Sequence, residues 1–153
     1  MLNVGGVVDL SPVMEVGNIL LLSQTGMTIG DSFADVLLGK AYPSGKLAST
    51  WAKWEEYCPV GEFAQPDDTR YNEGIYVGYR YFDSVGKEPL FPFGFGLGYT
   101  TFEVGRPQVE VAGTQVRVTV PVKNTGAALG KDTYNCTTSL PSGKLDQPYQ
   151  VLA

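Results

Sequence analysis

The chain has 153 residues, of which 43% are hydrophobic, with a net charge of −5 and no histidine. This length allows one ordinary domain or parts of two, and the acidic balance argues against a nucleic-acid partner. The absence of histidine excludes histidine-based catalytic triads, histidine metal ligands and imidazole general bases.

Signals for membranes, export and metals are also missing from the sequence. The longest aliphatic run, Ile19 to Leu22, is far too short to span a bilayer, and no signal peptide is visible after Met1. We therefore expect no membrane partner and, if the start is genuine, a cytoplasmic protein; otherwise the compartment stays open. Cys58 and Cys136 lack metal-type spacing, so we expect free thiols and neither a metal nor a cofactor.

Apolar runs and turn residues alternate over the first part of the chain, which is typical of an α/β fold. Short apolar runs predict buried strands over residues 2–9, 18–23 and 46–51. A loop over residues 24–30 follows the second run. A short helix is predicted over residues 32–38, with Ser32 and Asp35 as a capping box and Gly39 at its end.

A connector rich in turn residues extends from Trp51 to Arg70. Its tryptophans, Trp51 and Trp54, suggest either a sugar-stacking platform or ordinary buried aromatics. Its acidic pairs are Glu55–Glu56 and Asp67–Asp68. Adjacent residues on an extended chain point in opposite directions, so we expect solvated surface carboxylates and not a catalytic pair.

Aromatic residues and glycines crowd the stretch from Tyr71 to Thr100, which reads YNEGIYVGYRYFDSVGKEPLFPFGFGLGYT. Large rings bring much buried area, and glycines allow sharp turns and close approach. Such a segment is poorly suited to a helix. It is interpreted either as a structured linker that packs between two domains or as an ordinary pair of buried strands.

The hydrophobic period changes to two after Thr100. Valines at 109 and 111, and at 116, 118, 120 and 122, alternate with other residues, as in a half-buried β-strand. Turns are predicted at Gly113–Thr114 and at residues 124–126. A further strand is predicted over residues 131–139.

Several motifs of this chain resemble glycoside hydrolase family 3 and occur in that family's order. They are LNVGG from Leu2, LLLSQ from Leu20, ADVLLGK from Ala34, PSGKL from Pro43, EGIYVGYRYFD from Glu73, FPFGFGLGYT from Phe91 and DQPYQVLA from Asp146. The family's usual ending of the aromatic stretch is similar, although Phe95 and Gly98 replace its usual residues there.

The resemblance implies a fold class and a domain organisation. It implies an α/β sandwich fragment followed by a partial antiparallel β-sandwich of the fibronectin type III-like kind. Residues 1–57 correspond to the C-terminal part of the α/β sandwich domain, residues 58–100 to the interdomain linker, and residues 101–153 to an incomplete fibronectin type III-like domain.

The resemblance also bears on the site. Where the family has Glu-Gly-Gly facing the catalytic cleft, this chain has Thr28-Ile29-Gly30. Gln24 and Thr28 are therefore candidate substrate-binding residues, with a plain structural loop as the alternative. The nucleophile and the acid/base of the family have no matching position here, so no residue is assigned a catalytic role.

The functional hypothesis is that the chain is part of a retaining, β-glucosidase-like hydrolase of O-glycosidic bonds in carbohydrate metabolism. It is expected to be inactive on its own and to be a piece of a longer enzyme or the product of a truncated gene. Its expected partners are the missing barrel domain and a β-glucoside or oligosaccharide substrate. The alternative is a non-catalytic module that binds carbohydrate or protein.

Overall fold

The computed structural model describes residues 1–59, 65–141 and 143–153. Helices lie in the first two thirds of the chain and strands in the last third, which confirms the change predicted near Thr100. The elements within the described residues are α1 (Ile29–Leu37), α2 (Tyr79–Val85), β1 (Phe102–Val104), β2 (Gln108–Ala112), β3 (Gln115–Thr119), β4 (Val122–Asn124), β5 (Thr137–Thr138) and β6 (Val151–Leu152).

The N-terminal runs pair in parallel, as predicted, but only through one bridge. Leu2 donates its N–H to Leu20 O and accepts at its own carbonyl from Leu22 N, both at 2.8 Å, around a parallel Leu2–Leu21 bridge. The prediction of regular strands over 2–9 and 18–23 is therefore wrong. The chain bends at Gly5–Gly6, and a parallel pair without further neighbours is weak.

Helix α1 begins earlier than the sequence predicts. Thr28 occupies the N-cap position, so the capping box proposed for Ser32 and Asp35 is wrong. The backbone turns into the helix at Gly26, whose carbonyl accepts from Ile29 N at 3.2 Å. The predicted end is confirmed, because Gly39 lies just beyond the helix at φ +70° and bonds back to Val36 O.

The third predicted strand, over residues 46–51, forms an irregular antiparallel ladder with the aromatic segment. Trp51 and Phe91 exchange both of their backbone hydrogen bonds, at 2.8 and 2.9 Å. Leu47 donates to Phe95 O and accepts from Gly94 N at 2.8 Å each. The two parts of the chain are thereby joined, although neither is a regular strand.

The aromatic segment does contain a helix, contrary to the prediction that it was poorly suited to one. Helix α2 lies between Gly78 and Gly86, which have φ values of +58° and +65°. Its Phe82 side chain is only 1% exposed and meets Tyr57 and Tyr81 edge-to-face, each at 5.6 Å. Tertiary packing of this ring and glycine at both ends override the weak helix propensity.

Helix α2 and the residues just before it also hold the C-terminal segment. Four hydrogen bonds of 2.7–2.8 Å connect the two stretches: Tyr76 OH to Asp146 Oδ1, Leu152 N to Tyr79 OH, Tyr149 N to Ser84 Oγ, and Gln150 Nε2 to Asp83 Oδ2. On its other side, the aromatic segment reaches α1 through Tyr99 OH, which donates to Val36 O at 2.9 Å.

The last third of the chain forms three antiparallel pairs, β1 with β4, β2 with β3, and β5 with β6. The predicted turns are present: Gly113 has φ +60° between β2 and β3, and Asn124 Oδ1 accepts from Gly126 N at 3.0 Å. The strand predicted over residues 131–139 is reduced to β5. Lys131 to Cys136 have no regular structure, and the Asp132 side chain there pairs with Lys46.

Burial is confined to a small part of the chain. Among the described residues, those that are buried are Leu10, Thr50, Trp51, Ala52 and Phe82. The accessible surface is 11772 Å², whereas a compact monomer of 16.5 kDa exposes about 7,500 Å². Much apolar surface that a folded domain would cover is therefore open.

Candidate functional site

The candidate loop follows the parallel bridge at the carboxyl ends of the paired runs. Ser23 at its start has φ +55°, a conformation that residues other than glycine rarely adopt. The Gln24 side chain lies close to Gly5 of the N-terminal run. A Cβ atom added to Gly5 would lie only 2.7 Å from Gln24 Oε1. In α/β sheets this edge is where ligands bind.

Gln24 and Thr28 lie on one exposed loop, at opposite ends. Thr28 is the N-cap of α1, yet its side chain makes no capping hydrogen bond. Its hydroxyl therefore does not satisfy the first N–H groups of the helix, which have no partners within a helix. Roles for these residues in substrate binding stay a prediction.

A separate cleft of about 270 Å³ lies where the N-terminal run meets the connector. Its lining is mostly apolar and includes one carboxylate, and it consists of Val7, Val8, Asp9, Ala52, Trp54 and Tyr57. Sequence reasoning considered Trp54 but missed Asp9 and Tyr57. The tryptophans differ sharply, since Trp51 is 5% exposed and Trp54 63%.

Tyr57 forms a fixed wall of this cleft. Its hydroxyl donates to Thr50 O at 2.8 Å and accepts from Ala52 N at 3.0 Å. Burial raises the pKa of the phenol, which therefore stays neutral at physiological pH. Because its ring also packs against Phe82, the wall is connected to the small core.

Asp9 supplies the charge of the cleft. Its Oδ1 accepts hydrogen bonds from the Ser11 hydroxyl at 2.7 Å and from Ser11 N at 2.9 Å. These bonds favour the ionised form and lower the pKa of the carboxyl. The group is therefore a carboxylate with a fixed orientation at neutral pH.

The acidic pairs of the connector do not converge on either site in the contacts observed. Glu56 Oε2 accepts from Lys53 N at 3.0 Å at the start of a short 3₁₀ turn, and Glu55, Asp67 and Asp68 are exposed. Within the described residues, no group of three or more acidic or cysteine side chains is arranged to hold a metal ion. Cys58 and Cys136 are free thiols.

No helix within the described residues has the length and apolar character needed to cross a membrane.

Comparison with known proteins identifies the class of domain and then the family. Residues 1–99 match the model of the glycosyl hydrolase family 3 C-terminal domain. The chain belongs to glycosyl hydrolase family 3, as its motifs indicate.

The match to related β-glucosidases extends over nearly the whole chain. The chain is 39% identical to β-glucosidase A of Butyrivibrio fibrisolvens, over 99% of this chain and 21% of that protein. It is 36% identical to a β-glucosidase of Rhizobium radiobacter, over 99% of this chain and 20% of that protein. The chain therefore spans about a fifth of the length of these relatives.

The fold is similar to that of solved family members. β-Glucosidase 3B of Thermotoga neapolitana, in a complex with glucose, superposes with a TM-score of 0.87 at 39% identity. The match covers 98% of this chain and 22% of that enzyme. The chain is thus similar to about a fifth of a larger β-glucosidase structure.

Proposed function

We propose that the chain is the non-catalytic C-terminal part of a retaining, β-glucosidase-type glycoside hydrolase. The observation that carries this proposal is the match to the Thermotoga neapolitana enzyme, with 98% of this chain but only 22% of the enzyme. The rest of such an enzyme would supply the barrel and both catalytic carboxylates, which retaining hydrolysis needs about 5–5.5 Å apart.

The uncovered apolar surface supports a role within a larger protein. The face of the β2–β3 hairpin that carries the valines is 41–72% exposed at each of them: Val109, Val111, Val116 and Val118. A fibronectin type III-like sandwich would cover that face with a second sheet. We assign residues 101–153 to an incomplete domain of this kind.

Residues 1–57 are assigned to the C-terminal part of an α/β sandwich domain, and residues 58–100 to the linker. The contacts of the aromatic segment support this division. It bonds to α1 through Tyr99 and to the C-terminal segment through Tyr76 and helix α2. A segment held on both sides positions the flanking parts relative to each other.

Gln24 and Thr28 are proposed to contact a β-glucoside or oligosaccharide substrate in the assembled enzyme. Both lie on the loop that follows the parallel pair, and both carry hydrogen-bonding groups suited to sugar hydroxyls. The side-chain amide of Gln24 is held against Gly5, so its orientation is restricted.

A chimaera tests this function. The segment of Thermotoga neapolitana β-glucosidase 3B that matches this chain is replaced by the 153 residues. We expect the chimaera to hydrolyse an aryl β-glucoside and the chain alone to be inactive. Turnover by the purified chain, abolished by a single Asp or Glu substitution, would contradict the proposal, as would a folded chimaera without activity.

The same chimaera tests the loop. Thr28→Ala and Gln24→Ala should each raise KM several-fold, whereas Thr25→Ala on the same exposed loop should leave it unchanged. Equal effects of Thr25→Ala and Thr28→Ala would favour a plain structural loop.

A further inference from the structure

We propose that Asp9 and Trp54 form a second carbohydrate-binding subsite, distinct from the Gln24–Thr28 loop, that takes one neutral pyranoside ring. The ring would stack on the exposed face of the Trp54 indole, and one of its hydroxyl groups would donate to the Asp9 carboxylate. The choice of a sugar as the ligand rests on the proposed function.

The size of the cleft suits a single ring. Its volume of about 270 Å³ lies just below the range of about 300–1,000 Å³ that is usual for ligand pockets. Its mostly apolar lining, with one charged group to fix orientation, is also the usual composition of a small-molecule site.

The Trp54 side chain borders the cleft and presents much of its surface to solvent. Trp51, three residues earlier, is 5% exposed, whereas Trp54 is 63% exposed beside the cleft. The short 3₁₀ turn that carries Trp54 is fixed by the hydrogen bond from Lys53 N to Glu56 Oε2 at 3.0 Å. A tryptophan side chain has few rotatable bonds, so an indole on this turn can stack on the apolar face of a sugar at little entropic cost.

The carboxylate selects among ligands. Both hydrogen bonds from Ser11 fall on Oδ1 of Asp9, which fixes the orientation of the group. An ionised acceptor disfavours an anionic ligand through repulsion and a purely apolar ligand through its desolvation cost. A neutral polyol satisfies it with a charge-assisted hydrogen bond. An organic cation would also be attracted, so the experiment includes one.

The pair of tryptophans makes the test direct. The full chain is titrated with methyl β-D-glucopyranoside while its tryptophan fluorescence is followed. Because Trp51 is buried, a saturable change is expected to come from Trp54 and to be lost in Trp54→Phe. Saturation-transfer NMR on the sugar gives the affinity of every variant independently of the tryptophan signal.

We expect Asp9→Ala and Trp54→Ala each to weaken the affinity about tenfold, a typical loss for one good stacking or charged contact. Glu55→Ala and Thr25→Ala are matched controls, exposed residues outside the cleft, and should bind like the unmodified chain. Circular dichroism of each variant checks that the fold is kept.

Three results would overturn the subsite: no saturable binding, tighter binding of choline than of the glucoside, or loss of binding in Gln24→Ala but not in Asp9→Ala. The experiment measures binding without turnover, so its outcome is separate from that of the chimaera. An inactive chimaera together with binding at Asp9 and Trp54 would contradict the proposed enzyme and uphold the subsite.

Discussion

Burial of apolar side chains differs between two regions: Phe82 is buried, whereas the valines of the β2–β3 hairpin are exposed. Phe82 is 1% exposed and is surrounded by Tyr57 and Tyr81. In the hairpin, cross-strand partners such as Val111 and Val116 meet on one face, yet both are more than 60% exposed. The hairpin has a complete register, but within the described part of the chain no layer buries its valine face.

The difference shows that two strands can pair in a complete register without burying their apolar side chains. The hairpin forms through local pairing and a two-residue turn, with Glu110 and Arg117 4.0 Å apart on its polar face. Burial of its valine face needs a second layer. The Phe82 side chain is covered because Tyr57, a residue of the connector, packs against it.

The largest expected effect comes from removing the buried ring. Phe82→Ala should lower the free energy of unfolding by about 3–5 kcal/mol, because it leaves a cavity between Tyr57 and Tyr81. Val111→Thr, at an exposed position, should change it by less than about 0.5 kcal/mol. Urea unfolding followed by circular dichroism measures both.

Phe82→Leu provides an intermediate in case the alanine variant does not fold. It keeps part of the apolar volume and should fall between the two values. If Val111→Thr proved as damaging as Phe82→Leu, the valine face would be covered, and the contrast between the regions would disappear.

The hairpin was predictable from sequence, whereas helix α2 was not. Alternating valines and a glycine turn act locally, so the period of two indicated β2 and β3 directly. The predicted length and burial were wrong, because β3 ends at Thr119 and does not continue to Val122, and both strands are exposed and not half-buried. Helix α2 depends on contacts distant in sequence, such as Phe82 on Tyr57. For the N-terminal runs the error was the reverse, since strands were predicted and only one bridge is present. Apolar runs predict strands without showing whether neighbouring strands exist to pair with them.

The two candidate sites also differ in whether they could be predicted from the sequence. Gln24 and Thr28 were identified from one continuous motif, and the structure places them on a single loop. The cleft of Asp9, Trp54 and Tyr57 joins residues more than forty positions apart. No local pattern relates them, so only the fold shows that they line one cleft.

An ion pair between the first and last parts of the chain should have the next largest effect. Lys46 Nζ lies 2.7 Å from Asp132 Oδ1, with both side chains about one-fifth exposed, and it also donates to Gly96 O at 2.5 Å. Asp132→Asn should lower the free energy of unfolding at pH 7 by about 2 kcal/mol. Glu110→Gln, in the exposed hairpin pair, should change it by less than about 1 kcal/mol.

The pH dependence of Asp132→Asn follows from the sign of the shift. The hydrogen bond from Lys46 lowers the pKa of Asp132 in the folded state below its unfolded value of about 4. The pair therefore stabilises the fold fully above that value and loses its effect as the pH falls through the lowered pKa. Unfolding at pH 7 and pH 3 should show the difference between the chain and Asp132→Asn shrinking in acid. A constant difference would contradict this account.

The smallest expected effect is a gain in stability at Thr50. Its side chain is 2% exposed, and its hydroxyl has no hydrogen-bond partner among the described residues. Valine has nearly the same shape without the polar group, so Thr50→Val should raise the free energy of unfolding by about 1 kcal/mol. Thr119→Val, on the exposed polar face of the hairpin, removes a solvated hydroxyl and should change it by less than about 0.5 kcal/mol. Thr50→Ser, which keeps the hydroxyl and loses the methyl group, should destabilise the chain. If Thr50→Val also destabilised it, the hydroxyl would have a partner in solution, and the buried region would be wetter than its packing indicates.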